Sequence, residues 1–351
     1  MEKNPLVSII VPVFNEEKNI KKNIESLINQ DYDNIEIIIV NDKSTDESIK
    51  IANRYIEKNP NIKILNNEKN KGASYSRNKG LDIAKGKYII FIDGDDYAEK
   101  ELISTLVKTA EEEKLDLVQV NYIKEEIDKS VLQKHFKVKK DVYKGKEDIL
   151  ENISALISNN RNSDQFFSLI RSVAGKIFKR NIIEKKEKLR FKEDLVLSEN
   201  LIFTMEYMLR AKKIKYLEKY LIHFKKDEAS LRESYIPKIE KEAKNSIKYM
   251  RKLIRETKTE LELSKNEKKK IDEDFAYFVF ERVFLVYKHK INRVEEGLDE
   301  KSKKRNLLEF INKNNLYKYI KKIDRKKLDE EYQKFLKYIK NSVFLRKFRI
   351  I

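Results

Sequence analysis

Through the first hundred positions the apolar residues come in short unbroken runs, and each run stops at a polar or acidic cluster. Residues 6–14 read Leu-Val-Ser-Ile-Ile-Val-Pro-Val-Phe, which predicts a strand buried on both faces rather than one alternating between core and water. Asn15-Glu16-Glu17 then opens a helix in which Ile20, Ile24, Leu27 and Ile28 recur at helical spacing. Residues 35–40 are a second buried strand, and Ser44, Thr45 or Asp46 caps a helix over about 47–58. A third short strand covers 62–66, and Asn70-Lys71-Gly72-Ala73-Ser74 leads a helix carrying Arg77 and Asn78 towards Gly86. Residues 88–97, Tyr-Ile-Ile-Phe-Ile-Asp-Gly-Asp-Asp-Tyr, predict a fourth buried strand that runs into three carboxylates. Strands alternating with helices in this way argue for a mostly parallel sheet with right-handed crossovers.

Further along, a helix is expected over 102–114 and a strand over 115–123. Residues 124–150 alternate charge and hydrophobicity like a strand or hairpin, with His135, Phe136 and Tyr143 near its middle and a helix from about Lys146. Residues 172–181 lead into another helix, and the stretch from Ser198 to Arg210 is well patterned as one. From Pro237 onwards almost everything reads as basic amphipathic helix. Three regions result: 1–125, 126–234 and 235–351, with the last boundary near Ser234.

In an open α/β sheet the ligand crevice lies outside the carboxyl ends of the strands, so Asp93, Asp95 and Asp96 are delivered to that rim. Carboxylates packed this closely repel one another, and a hard cation such as Mg²⁺ or Mn²⁺, sharing its oxygen ligands with substrate phosphates, is the usual remedy. The competing reading is a solvated turn that closes the strand.

The bulk numbers narrow the setting. The chain has 351 residues, 40% of them hydrophobic, enough for two or three domains with a real core. Its 77 Lys and Arg against 59 Asp and Glu leave a formal charge of +18, a field that favours anionic partners without choosing among them. There is no cysteine, which removes disulfide and thiolate chemistry and suits a reducing cytoplasm. The amino terminus lacks a basic stretch followed by an apolar one, and no segment reaches the ~20 apolar residues of a membrane span. A cytoplasmic protein is expected. Residues 338–351 mix Ile339, Val343, Phe344, Leu345, Phe348 and Ile350 with Lys and Arg, which suits either an anionic membrane surface or docking on the helical region or a second subunit. No base-reading or aromatic-interleaved basic motif supports a nucleic-acid partner.

Four segments, Val-Ser-Ile-Ile-Val-Pro-Val-Phe-Asn-Glu, Val-Asn-Asp-Lys-Ser-Thr-Asp, Asn-Lys-Gly-Ala-Ser-Tyr-Ser-Arg-Asn and Phe-Ile-Asp-Gly-Asp-Asp, in this order resemble the family 2 glycosyltransferases with the GT-A fold. The resemblance covers about 6–125, continues more loosely through Gly175–Arg180 and 198–232, and leaves the last third without a counterpart. It implies a GT-A Rossmann-like sheet with flanking helices, followed by an all-helical carboxyl-terminal region. It implies that Pro12, Phe14, Asn15 and Glu16 lie at the base and ribose edge of a UDP-sugar, where the family more often has Tyr than Phe. Asp42 matches the carboxylate that faces uracil. Gly72, Arg77 and Asn78 match the segment beside the diphosphate. Asp93 with Gly94 matches the ribose-facing part, and Asp95 the metal ligand, of the family's Asp-X-Asp motif. His223, ahead of Lys225 and Lys226, is a further candidate for the metal or diphosphate.

The implied activity is inverting transfer of a sugar to a glycan or lipid-linked acceptor in surface-polysaccharide synthesis. The family's usual base is the Asp of a Glu-Asp pair leading a helix; here Ser198-Glu199-Asn200 puts Asn200 at that point. An amide cannot act as a base. Glu199 substitutes, or Asp194 in Lys192-Glu193-Asp194 does, or the chain is a nucleotide-sugar binder without turnover.

Overall fold

A computed structural model gives the fold. It describes residues 4–126, 129–133, 140–158, 171–185, 187–225, 238–291 and 299–347. Among the sequence expectations, His135, Phe136, Lys226, the Ser234 boundary and the tail beyond 347 lie outside these residues.

The chain forms two compact units, 1–150 with 168–227, and 151–167 with 228–351. In the first, the expected βα alternation is present: β1 (Val7–Val13), α1 (Ile20–Ile28), β2 (Ile35–Asn41), α2 (Ser48–Ile56), β3 (Ile62–Asn66), α3 (Ala73–Ile83) and β4 (Tyr88–Phe91). Each of β1, β2 and β4 is buried along its whole length, as unbroken apolar runs require. β1 pairs in parallel with β2 on one side and β4 on the other, and β3 adds in parallel beyond β2.

The sheet then continues with elements of mixed direction. β5 (Tyr97–Ala98) follows the Asp93–Asp96 turn, and α4 (Leu102–Glu112) leads to β6 (Leu117–Glu126), β7 (Lys129–Gln133), β8 (Tyr143–Lys144) and α5 (Gly145–Ile157). Next come β9 (Lys176–Lys179), the single turn α6 (Arg180–Ile183), α7 (Glu199–Arg210) and β10 (Lys213–Lys225). The order is β3-β2-β1-β4-β9-β6-β10-β5, with β7 on β6 and β8 on β10. β9 runs antiparallel between β4 and β6, which interrupts the parallel order, and β6 and β10 then pair in parallel beyond it. Neither β9 nor β10 is evident from apolar runs. β10 alternates buried and part-buried positions and then slips register between Leu217 and Ile222, which breaks its period of two.

One sheet face carries Ile9, Ile37, Ile90 and Val120 against Ile24 and Leu27 of α1 and Leu102 and Leu106 of α4. The opposite face is aromatic. Phe203 of α7 stacks on Phe191 at 4.1 Å and meets Phe91 and Phe178 edge-on at 5.7 and 5.8 Å. This cluster anchors the start of α7 over the end of β4.

β1 and β4 pair only as far as Ile10 and Phe91. Ile92 N still donates to Ile10 O, but past that point the strands separate, and Pro12 occupies the position whose missing N–H would have faced β4.

The second unit comprises residues 151–157 of α5 with α8 (Ile239–Glu260), α9 (Lys265–Val286), α10 (Glu300–Lys313), α11 (Tyr317–Ile320) and α12 (Glu330–Lys347). Ser264 and Glu267 close a capping box at the start of α9, each side chain bonding the other's backbone N–H. Phe275, Phe278, Phe280 and Phe284 of α9 are buried as helix core. No helix among the described residues is long and apolar enough to cross a membrane.

Phe203→Ala removes a fully buried ring that three others touch. It is expected to destabilise the chain by about 3–5 kcal/mol, read from denaturant midpoints of the full-length protein.

Candidate active site

The rim of the sheet begins with Asp42, which follows β2 and is 3% exposed. Its carboxylate accepts hydrogen bonds from Asn67 Nδ2 at 2.8 Å, Lys71 N at 2.9 Å and Gly72 N at 2.6 Å. It therefore shapes the loop after β3. Gly72 takes φ +87°, a conformation that favours glycine, and so turns its N–H onto Asp42 while starting α3.

The loops after β1 and β2 clasp each other. Asn15 N donates to Ser44 Oγ at 3.1 Å, and Thr45 N donates to Asn15 Oδ1 at 2.8 Å. Glu16 N donates to Ser48 Oγ at 2.6 Å and Glu17 N to Asp46 Oδ2 at 3.0 Å. Asn15 and Lys43 both adopt positive φ, which Asn tolerates better than most residues. Phe14 stands on the first loop with 45% of its surface open, an available stacking face. Pro12 is buried inside β1 and presents no such face.

Asp93, Asp95 and Asp96 follow β4. Asn23 of α1, itself buried, donates to the carbonyls of Asp93 and Asp96 at 3.0 and 2.8 Å and so pins this turn from beneath. Gly94 lies against β1: an added Cβ would stand 3.2 Å from Pro12 O and from Glu16 Cγ. Asp93 and Asp95 are part-exposed, whereas Asp96 is 2% exposed. Burial, then the charges of Asp95 and Asp93, push the Asp96 carboxyl well above the usual carboxylate range.

Arg77 is the link between these parts. It is 2% exposed, and its Nη2 lies 2.6 Å from Asp93 Oδ1 while Nη1 lies 3.8 Å from Glu199 Oε1. Burial alone would lower the pKa of this guanidinium, but the charges of Asp93, Glu199 and Asp95 outweigh it and raise it. The first residue of α7 and the end of β4 thus share one cation.

Asn78, next to Arg77 in the segment matched to the nucleotide, ties two parts of the chain together. Its amide bonds the backbone of Phe191 in both directions, accepting from the N–H at 2.8 Å and donating to the carbonyl at 3.0 Å, and so fixes the loop before α7. Asp194, on that loop, is exposed. Asn200 is half-buried, and its Oδ1 is buried without a hydrogen bond.

His223 of β10 stacks on Tyr97 at 4.0 Å. Its Nδ1 lies 2.6 Å from Glu125 and its Nε2 2.7 Å from Glu99, so both ring nitrogens face carboxylates rather than an open site. Among the described residues no group of three or more His, Cys, Asp and Glu is arranged to hold a metal.

Asn23 and Asn67 carry structural duties that motif reading passes over. Asn23 could have been found, since it is the polar residue on the apolar stripe Ile20, Ile24 and Leu27.

Asp42→Ala leaves two backbone N–H groups and an amide without their acceptor. A loss of about 1–3 kcal/mol is expected, with faster hydrogen exchange at Lys71 and Gly72. Asp96 supplies a pH test. An acid whose folded pKa is raised costs stability above its unfolded pKa, and that cost disappears as pH falls to the ordinary carboxylate range. Metal-free Asp96→Asn should therefore melt higher than wild type at about pH 7 and no higher at about pH 4.

Residues 8–185 match the family model described as Glycosyl transferase family 2. The uncharacterized glycosyltransferase EpsJ of Bacillus subtilis (strain 168) is 31% identical over 229 residues, 65% of this chain and 63% of its own length. The poly(ribitol-phosphate) beta-glucosyltransferase of Bacillus spizizenii is 31% identical over 238 residues, 66% of this chain and 34% of its own. Across the first curated relatives the match spans between 31% and 63% of their lengths. The crystal structure of S. aureus TarS 1–349 in complex with UDP-GlcNAc superimposes with a TM-score of 0.64 at 23% identity, covering 96% of this chain and 88% of that one, a likeness of fold. The family match takes in just over half of the chain, from β1 to the end of α6, including Asp42, Arg77 and Asp93 but not Glu199. By that match, this chain belongs to glycosyl transferase family 2.

Proposed function

We propose that the chain is an inverting glycosyltransferase that moves a sugar from a UDP-sugar to a glycan or glycolipid acceptor in surface-polysaccharide synthesis, working in the cytoplasm or at the inner face of the membrane. The observation that carries this reading is Arg77, which stands between Asp93 at the end of β4 and Glu199 at the start of α7. A donor-side carboxylate and a candidate base therefore meet in one place. Support also comes from the relative described as a poly(ribitol-phosphate) beta-glucosyltransferase and from the UDP-GlcNAc complex of TarS.

Glu199 is the base in this proposal. It takes the proton of the acceptor hydroxyl as that oxygen bonds to the anomeric carbon, while the bond to UDP breaks and its electron pair leaves with the diphosphate. A single displacement inverts the configuration. Phe14 offers its open ring to the uracil, and Asp42 holds the loop at Gly72 against the nucleotide. Asp93 and Asp95 supply hard oxygen donors that suit Mn²⁺ or Mg²⁺; the Asp96 carboxyl, raised first by burial and then by the charges of Asp95 and Asp93, marks a rim where negative charge is close-packed. When bound, such an ion neutralises charge on the departing diphosphate.

A second reading, a nucleotide-sugar-binding subunit without turnover, is favoured by Asn200 and by the guanidinium 3.8 Å from Glu199, since a neighbouring cation weakens a carboxylate as a base.

UDP release from a panel of UDP-sugars with Mn²⁺ separates these readings. Glu199→Gln should lower kcat by about 10²–10⁴-fold with little change in donor KM. Asp194→Asn should leave kcat within about threefold of wild type, a change small beside the loss of a general base. Loss of turnover in Asp194→Asn alone moves the base to that loop, and turnover only in Asn200→Asp establishes the binder.

A further inference from the structure

Between residues 238 and 351 the sequence carries 33 Lys and Arg against 19 Asp and Glu, a surplus of 14 within the chain's +18. Part of that surplus is ordered along one line. In α8 the buried positions Ile239, Ala243, Ile247, Met250 and Ile254 form one stripe. From 241 to 255 every exposed position is cationic: Lys241, Lys244, Lys248, Arg251, Lys252 and Arg255. Five of these, at 241, 244, 248, 251 and 255, repeat at three- and four-residue intervals and lie on one face for a rise of ~21 Å. Lys252, beside them, is paired with Glu256 at 3.4 Å. Among the described residues the other five have no carboxylate partner.

Like charges one turn apart cost a helix stability, so a solvated helical face ordinarily intersperses the two signs. This face does not. We propose that the α8 stripe is a docking surface for a single-chain polymer, not a nucleic acid, that bears a phosphate at each repeat. The line of cations is one residue wide and several turns long, which matches a chain laid along the helix axis. A bilayer would instead be met by apolar side chains beside the basic ones, and this unit exposes no large hydrophobic residue among those described; the apolar side of α8 is spent on the helical core. Binding requires no sugar donor, so the proposal stands whether or not the chain transfers sugar.

The test uses the full-length protein and fluorescent long-chain inorganic polyphosphate, with orthophosphate as the monomer control. Five neutralised contacts predict a log–log salt slope of roughly −3.5, hence about a hundredfold loss of affinity between about 50 and about 200 mM salt. The combined variant Lys241→Gln, Lys244→Gln, Lys248→Gln, Arg251→Gln and Arg255→Gln should bind at least tenfold more weakly. The control Lys318→Gln, Lys321→Gln, Lys322→Gln, Arg325→Gln and Lys327→Gln removes five exposed charges elsewhere in the same unit and should bind within about twofold of wild type, as off-site charges do in screening salt. All ten changes are on exposed side chains, and circular dichroism verifies the fold. Equal losses in the two variants reduce the effect to net charge and overturn the proposal. So does wild type that ignores polyphosphate, or stripe-dependent binding that is tighter to vesicles rich in anionic phospholipid or to duplex DNA.

Discussion

A buried guanidinium holds the candidate site together. Arg77 is almost fully removed from water, and burying a lone cation is costly enough that it needs carboxylates close by. Asp93 and Glu199 supply them from two separate elements, the end of β4 and the start of α7. The electrostatic need of one α3 residue thus brings together the two carboxylates that the proposed chemistry requires. The aromatic packing of Phe191 and Phe203 serves the same end, because it seats the first turn of α7 where Glu199 meets Arg77. Asn78 adds a third tether by fixing the Phe191 backbone.

Much of the first half of this arrangement was legible in the residues. Strands buried on both faces appear as unbroken apolar runs, so β1, β2 and β4 and the acidic rim at their ends could be read directly. Asp42 and Gly72 were visible as a pair of motifs, although only the structure shows that one carboxylate bonds the other's N–H. The second half was harder for a physical reason. β9 has four residues, too few for a period, and the register slip within β10 destroys the alternation that would have marked it. Long-range partners were beyond sequence reach as well. Nothing in the neighbourhood of Arg77 announces that its counter-ions lie 16 and 122 positions away. His223 is a ligand candidate by its place ahead of basic residues in the resemblance, and its partners Glu99 and Glu125, from the loop after β5 and from β6, are likewise distant in sequence.

The loops at the rim are rigid for a reason that differs from the strands. They gain order from side chains that bond a neighbouring loop's backbone, as Asn15, Ser44, Asp46 and Ser48 do. Asn23 applies the same device to the Asp93–Asp96 turn. Each bond is individually modest, but together they leave few backbone groups of these loops free to rearrange, and a preorganised site loses less entropy when a ligand arrives.

Pro12 gives the sheet an edge that cannot heal. Two parallel strands that have parted would gain hydrogen bonds by zipping up again, and a collapsed crevice is the natural fate of a gap between them. An imino nitrogen in that line has no hydrogen to offer, so closing the gap brings no reward there. Beside Pro12 the two strands therefore gain nothing by pairing further, and the chain after β4 turns into Asp93–Asp96 instead.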